Sequence, residues 1–220
     1  MLDLDPKGAP FTDVVRVALA LRRILEQLEL ASYVKTSGAT GLHLLLPLGA
    51  RYTYEQCRTF ARLLAVMGVE AEPGISTVAR PLRARGGKVY IDFGQNGHGQ
   101  TIVAPFSLRP LPGAPASCPL EWREVTPRLD PARFTLETLP RRFDRMDDPL
   151  RPVLGDGIDM AAALERIEVL HASPSPLGGE GRVRGSRVRG SRVRGRGSIT
   201  VRGAPGANGR TRGRSRPPRA

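Results

Sequence analysis

Three aspartates have the chemistry and the local sequence to bind a metal ion. Asp3 and Asp5 lie in "LDLDP", and Asp92 ends the apolar stretch "VYID". Alternate side chains of a β-strand point the same way, so both carboxylates of an Asp-x-Asp strand can reach one hard divalent cation. Together the three predict an oxygen-rich Mg²⁺ or Mn²⁺ site of the kind used in phosphoryl and nucleotidyl transfer. The alternative is an acidic N-terminus and a strand-end aspartate that faces water.

A second stretch, "KTSGATGLH", has residues that suit phosphate binding. Lys35, Ser37 and His43 surround two glycines, whose open backbone amides can contact phosphate oxygens. The stretch lacks the G-K-[ST] ending of a Walker A loop, and a histidine between apolar residues is often purely structural. Basic residues around the Asp92 strand could receive a triphosphate or could simply be solvated; they are Arg83, Arg85, Lys88 and Arg109.

Two amphipathic helices are predicted to support these residues. The first follows "LDLDP" over "FTDVVRVALALRRILEQLELA", with its apolar residues at helical spacing and with Thr12 or Asp13 as the N-cap. The second begins at Thr53, where "TYEQ" fits a capping box with Gln56, and runs to Gly68 as its C-terminal signal. A third helix is predicted in "GIDMAAALERIEVL".

The remaining patterns predict strands that complete an α+β fold. "SYVKTSG" and "LHLLLPL" resemble a hairpin, and "KVYIDF" and "TIVAPFSLR" follow the second helix. The order β-α-β-β-α-β-β is typical of an antiparallel sheet with two helices on one face. We therefore expect a catalytic module at residues 1–106, an irregular C-terminal wrap with a helix at 107–170, and a disordered tail at 171–220.

The basic charge of the chain lies almost entirely in the tail. Residues 171–220 contain 13 of the 34 lysines and arginines and one of the 21 acidic residues. The near-perfect Arg-Gly repeat at residues 182–198 has no apolar residue larger than valine, so it cannot bury enough surface to fold. Cys57 and Cys118 form no metal-binding motif and are expected to be reduced thiols. No apolar run approaches the roughly 20 residues needed to cross a bilayer, which favours a cytoplasmic protein.

Several of these stretches, taken in order, resemble one family. They are "LDLDP", "VKTSGATGLHLLLPL", "ARGGKVYIDFGQNGHGQTIVAPFSLRPLPGAPASCPLEW" and "DPARFTLETLPRRF". The resemblance is to the polymerase domain of bacterial ATP-dependent DNA ligase D, of the archaeo-eukaryotic primase superfamily, and it covers residues 2–168. It implies an RRM-like, primase-type module that adds ribonucleotides or deoxynucleotides to broken DNA ends in non-homologous end joining. It further implies Ku protein and a ligase module as partners, and a cytoplasmic, nucleoid-associated location.

The resemblance also implies roles for individual residues. Asp3, Asp5 and Asp92 match the family's metal-binding motifs and would hold two catalytic cations, Mn²⁺ or Mg²⁺. Ser37 and His43 match the motif that contacts the incoming triphosphate. Three further positions match residues that bind the nucleotide's phosphates or lie beside the metals: Arg85, Gln95 and Arg109. Where family members commonly carry a loop lysine, this chain has Ala39 and Thr40.

The family's first aspartate motif is preceded by more than a hundred residues that have no counterpart here, so we expect an N-terminally truncated domain with weak or absent polymerisation. Two other functions compete with this interpretation. One is a non-catalytic nucleic-acid-binding fragment that acts through the Arg/Gly tail, because such segments give salt-dependent affinity. The other is a phosphatase of the haloacid-dehalogenase type, whose nucleophile motif is also Asp-x-Asp, although Pro6 here interrupts that motif.

Overall fold

A computed structural model describes residues 1–172. The predicted disordered tail therefore lies outside the described residues, except for His171 and Ala172, which end the last helix. The strands are β1 (Leu2–Asp5), β2 (Tyr33–Thr36), β3 (Leu42–Leu45), β4 (Ser76–Thr77), β5 (Val89–Asp92) and β6 (Pro119–Leu120). The α-helices are α1 (Phe11–Gln27), α2 (Tyr54–Ala71), α3 (Leu139–Phe143) and α4 (Met160–Ala172).

The six strands form one sheet in the order β4-β5-β1-β3-β2-β6. The short β4 runs parallel to β5, and every other neighbouring pair is antiparallel. The predicted hairpin is confirmed, since β2 and β3 pair with Tyr33 opposite Leu45 and Thr36 opposite Leu42. Strand β1 lies between β3 and β5, so the aspartates of "LDLD" stand in the middle of the sheet.

One face of the sheet is covered by α1 and α2, which confirms the α+β fold. Leu2 and Leu4 of β1 point into this core and are fully buried. Val14, Leu21 and Leu25 of α1 are buried in the same cluster, because the apolar residues of this helix recur on one side. The opposite face of the sheet, reached by the alternating residues of the same strands, is left for polar side chains.

The helix ends show which local signals were decisive. The capping box at Thr53 is confirmed, because its hydroxyl accepts from the Gln56 amide and the Gln56 side chain accepts from the Thr53 amide. The predicted caps of α1 are wrong: the helix begins at Phe11, and Pro10 is the N-cap. The predicted end of α2 at Gly68 is also wrong, because the helix continues to Ala71. Gly68 instead permits close packing against α1, since an added Cβ would lie 2.7 Å from Leu21 Cδ2.

One predicted strand is absent. Residues 101–109, predicted as a strand, form irregular backbone in which only Leu108 makes an isolated bridge, to Ala116. Two local features explain this. Pro105 has no N–H to donate to a ladder, and Phe106 has a positive φ of 67°, which breaks the extended run. The last strand of the sheet comes instead from Pro119–Leu120, which extends the edge beyond β2.

Across residues 1–172, no helix is both long enough and apolar enough to cross a membrane.

Candidate functional site

A row of polar side chains crosses the open face of the sheet. Asp3 stands opposite Asp92 on one side and opposite His43 on the other. His43 in turn stands opposite Lys35. Residues directly opposite each other on antiparallel strands have Cβ atoms about 5 Å apart on the same face. The alternation that buries Leu2 and Leu4 thus places two carboxylates, an imidazole and an ammonium side by side.

Asp3 has the most perturbed carboxyl group of the row. Burial, then the neighbouring charges of Asp92 and Asp5, raise its pKa to about 7 from an ordinary value near 4. The nearby cations Lys35 and Arg109 oppose this rise without cancelling it. Its closest basic contact is the His43 ring, with Nε2 3.5 Å from Oδ1. Asp3 is therefore a carboxylate whose negative charge is poorly compensated by the protein.

Lys35 is almost completely buried, with 1% of its surface exposed. Its Nζ donates to Ser117 Oγ at 2.6 Å and lies 3.0 Å from His43 Nδ1. The Ser117 hydroxyl in turn donates a hydrogen bond to the Thr36 carbonyl at 2.9 Å. Burial lowers the pKa of Lys35 to about 8, although the attraction of Asp3 acts in the opposite direction. The lysine is thus held as a donor, without a carboxylate at hydrogen-bonding distance.

This contact fixes the state of His43. Burial, followed by the positive charges of Lys35 and Arg109, lowers the pKa of His43 to about 3, so the ring is neutral at physiological pH. Because Lys35 has only hydrogens to offer, Nδ1 must be the unprotonated nitrogen that accepts. The ring hydrogen is then on Nε2, on the side of Asp3 and the cleft.

Asp5 and Arg85 form an ion pair at the edge of the row. Arg85 NH1 lies 2.8 Å from Asp5 Oδ2, and the guanidinium stacks over the Tyr90 ring at 4.1 Å. Arg85 also donates to the carbonyl of Arg80 at 3.1 Å and 3.3 Å. These contacts hold Arg85 beside Asp5 and direct it away from the cleft, in which the other predicted phosphate-binding residues meet.

Asp92 is held by three donors. Its Oδ1 accepts from the Gly94 amide at 2.7 Å and from the Tyr90 hydroxyl at 3.2 Å. Its Oδ2 is 3.4 Å from Gln95 Nε2, which places the predicted residue Gln95 directly beside this carboxylate. Burial and the Asp92 charge raise the pKa of Tyr90 to about 12, so the phenol remains a donor.

The turn between β2 and β3 is tied together by Ser37. Its Oγ accepts from the amides of Ala39 at 3.2 Å and Gly41 at 3.0 Å, and its own amide donates to the Gly41 carbonyl at 2.9 Å. Gly41 must be a glycine, because an added Cβ would lie 2.3 Å from the Leu4 carbonyl oxygen on β1. The turn therefore packs directly against the strand that carries Asp3 and Asp5.

Six of the eight predicted site residues line one cleft of about 260 Å³. They are Asp3, Asp5, Ser37, His43, Gln95 and Arg109. The other two lie behind this lining, Asp92 opposite Asp3 on β5 and Arg85 on the outer side of Asp5. Residues 101–103 of the irregular segment also line the cleft. The cleft thus combines carboxylates with a guanidinium, a hydroxyl and an imidazole N–H.

The donor set suits a hard cation, although the carboxylates are not gathered as ligands. Within residues 1–172, no three His, Cys, Asp or Glu side chains are arranged to hold a metal ion. Asp5 is directed to Arg85, and Asp92 to the Gly94 amide. The fit rests on chemistry: adjacent carboxylate oxygens are ligands for Mg²⁺ or Mn²⁺, and a cation would offset the burial and the repulsion that together raise the pKa of Asp3.

Sequence reasoning missed Ser117, which anchors Lys35 from 82 positions away. The residues around Lys35 predict a strand, but they do not indicate that Ser117 is the hydrogen-bond partner. The buried chain Ser117–Lys35–His43–Asp3 is therefore a finding of the fold.

Comparisons with known proteins show the family of this chain. Residues 1–150 match the family model described as LigD, primase-polymerase domain. The chain is 36% identical over 151 residues to the bifunctional non-homologous end joining protein LigD of Bacillus subtilis, covering 68% of this chain and 25% of that protein. It is 32% identical over 170 residues to the multifunctional LigD of Pseudomonas aeruginosa, covering 76% and 20%.

A solved structure extends the likeness to three dimensions. The polymerase domain from Mycobacterium tuberculosis ligase D, in complex with DNA, superposes with a TM-score of 0.65 and 30% identity, over 71% of this chain and 55% of that one. The chain thus spans a quarter or less of the length of these two LigD proteins. Since the family model matches more than half of its residues, the chain belongs to the LigD primase-polymerase domain family.

Proposed function

We propose that this chain is a metal-dependent nucleotidyltransferase that adds nucleotides to broken DNA ends in non-homologous end joining. The observation that carries the proposal is the cleft in which Asp3, beside Asp92, faces the donors of His43, Ser37 and Arg109. This is the arrangement that a triphosphate and its cations need. The names of the LigD relatives and of the DNA-bound structure support DNA ends as the substrate.

The carboxylates would hold the cations. Asp3 and Asp92 offer oxygens from adjacent strands, and Asp5 would contribute once its side chain turns from Arg85. Two such ions, when bound, supply the activation of the primer 3′-hydroxyl and the charge neutralisation of the leaving pyrophosphate.

The remaining lining residues would bind the triphosphate. The neutral His43 ring presents Nε2–H to the cleft because Lys35 occupies Nδ1. Arg109 supplies a permanent positive charge, and its side chain stem packs where Gly38 leaves room, since an added Cβ would lie 2.7 Å from Arg109 Cγ. Charge-assisted hydrogen bonds of this kind are about twice as strong as neutral ones. Gln95 positions Asp92 through its amide.

The broader partners follow from the family in the same way. A ligase module and Ku protein are proposed as partners, because the LigD relatives are named for non-homologous end joining and extend well beyond the segment that matches this chain. The interaction would be tested by co-purification of the full chain with Ku on DNA ends.

Primer extension by the full chain tests the activity. A primed duplex is incubated with Mn²⁺ or Mg²⁺ and with ribonucleotides or deoxynucleotides, and Asp3→Asn is compared with Asp147→Asn, which changes an exposed aspartate outside the cleft. Weak extension that is lost in Asp3→Asn and kept in Asp147→Asn is the expected result. Mn²⁺ binding, measured from the electron paramagnetic resonance of the free ion, should fall in Asp3→Asn as well. Equal extension by both variants would refute the role of Asp3.

A further inference from the structure

A second cleft, of about 570 Å³, is lined by arginines and lies beside β6, away from Asp3, Asp5 and Asp92. Five arginines line it: Arg123, Arg133, Arg141, Arg142 and Arg145. Two glutamates, Glu121 and Glu124, line it as well. We call this feature the arginine cleft, and its five arginines outnumber its two acids.

Both acids of the arginine cleft are already neutralised. Arg142 binds Glu124 through two contacts, of 2.6 Å and 2.5 Å, and donates to the Pro119 carbonyl at 3.0 Å. Although burial favours the neutral acid, these hydrogen bonds hold the pKa of Glu124 below its ordinary value. Arg123 pairs with Glu121 at 2.5 Å. The two pairs leave the cleft with three positive charges that these acids do not balance.

The other three arginines are Arg133, Arg141 and Arg145, which are all exposed and make no ion pair with any of the described residues. Arg133 lies over the Phe134 ring at 5.2 Å, and Arg142 lies over the same ring at 5.4 Å. Phe134 is itself buried, so it forms a firm wall against which guanidinium groups stack. Guanidinium forks of this kind bind phosphate oxygens in pairs.

The sheet register places the arginine cleft relative to Asp3. Pro119, whose carbonyl binds Arg142, stands opposite Lys35 on β2, and Lys35 continues the row through His43 to Asp3. Three strand spacings of about 4.8 Å therefore separate Pro119 from Asp3, which is roughly 14 Å. A duplex strand advances about 3.4 Å per nucleotide, so this distance corresponds to about four nucleotides.

We propose that the arginine cleft binds the phosphodiester backbone of DNA a few nucleotides from the reacting end. The inference deepens the proposed function, on which it rests for the choice of DNA as the ligand. Three unpaired guanidiniums around a wall that already holds arginine fit successive phosphates, and the contact carries no base recognition. The same chemistry could hold a free polyphosphate, which the experiment distinguishes.

The test compares two triple variants of the full chain. One is Arg133→Gln/Arg141→Gln/Arg145→Gln. The matched control is Arg23→Gln/Arg58→Gln/Arg62→Gln, which removes three exposed, likewise unpaired arginines from α1 and α2. Affinity for a primed duplex is measured over a series of NaCl concentrations. The arginines of residues 173–220 are the same in both variants, so their contribution cancels in the comparison.

In the cleft variant, the affinity should fall about tenfold or more at 0.1 M salt, and the slope of log affinity against log salt concentration should decrease in magnitude by about 2 to 3. In the control variant, this slope should change by less than about 0.5. DNA should also protect Arg133, Arg141 and Arg145 of the wild-type chain from an arginine-selective dicarbonyl reagent. Equal losses in both variants, or protection by inorganic triphosphate as strong as that by DNA, would overturn the proposal. If the cleft binds DNA but no primer is extended, the proposed function fails and this inference stands.

Discussion

The Asp3→Asn variant should be more stable than the wild-type protein at neutral pH, although it removes a residue of the proposed active site. Asp3 is half-buried beside Asp92 and Asp5, and its ionised form is disfavoured there. Asparagine has nearly the same shape and no charge, so the repulsion from both neighbours disappears. Its amide can still donate to the carboxylate of Asp92 across the strand pair.

The size and the sign of the effect follow from the pKa of Asp3. Its rise from 3.8 to about 7 corresponds to about 4 kcal/mol of stability lost when the group ionises. Below pH 4 the carboxyl is protonated in both folded and unfolded chains, and no loss occurs. Between pH 4 and 7 the folded chain keeps a proton that the unfolded chain has released, so the wild type loses stability as the pH rises. Because three carboxylates share the repulsion, we expect a gain of about 2 to 4 kcal/mol in Asp3→Asn at pH 7.5.

Urea unfolding at pH 4 and at pH 7.5 measures this difference. The two proteins should have nearly equal free energies of unfolding at pH 4, and the variant should exceed the wild type at pH 7.5. Groups that titrate in this range and lie away from Asp3 are present in both proteins and cancel. Asp147→Asn serves as the control and should change stability by less than about 0.5 kcal/mol at either pH. A variant that is less stable than the wild type at pH 7.5 would refute the charge-repulsion argument.

Three further substitutions test separate parts of the fold. Lys35→Met should abolish the rise in stability that the wild type shows between pH 8 and 10.5. In this range the folded chain has released the lysine proton and the unfolded chain still holds it. Urea unfolding of both proteins at pH 7.5 and 9.5 measures this difference. Gly41→Ala should destabilise the hairpin by more than about 2 kcal/mol, because the new Cβ meets the Leu4 carbonyl oxygen at 2.3 Å, whereas Gly74→Ala, with open space around it, should be nearly neutral in the same thermal melts. Thr53→Ala should cost about 1 kcal/mol through the lost capping box, and Thr53→Ser should restore most of it.

Local signals in the sequence were enough to predict the elements that carry the site. The alternation of "LDLD" predicts that Asp3 and Asp5 share one side of a strand, and in the fold Leu2 and Leu4 are buried on the other side. The capping box at Thr53 needs only residues three positions apart, so it could be identified without tertiary information. The segment at 101–109 shows where such reasoning fails: its apolar residues match a strand, but Pro105 and the backbone of Phe106 prevent the ladder.

The site depended more on tertiary contacts. The register that puts Asp3 between His43 and Asp92 follows from the strand order β5-β1-β3, which no spacing in the sequence specifies. The hydrogen bond from Lys35 to Ser117 closes a loop of 82 residues, and nothing near either residue predicts it. Arg85 makes contacts that the sequence does not predict, because its guanidinium is held by Asp5 and the Tyr90 ring, and its role in phosphate binding stays a prediction.

The distribution of charge explains why Asp3 is the sensitive position. Two other partly buried carboxylates have close cationic partners, as Asp5 has in Arg85 and Glu124 has in Arg142. Asp3 has only a neutral imidazole at 3.5 Å, because burial and then the charge of Lys35 on the other side of the ring lower the pKa of His43. Lys35 therefore orients His43 toward the cleft and, together with burial, prevents it from neutralising Asp3. A carboxylate left uncompensated in this way lowers the stability of the empty protein and raises the benefit of any cation that binds beside it.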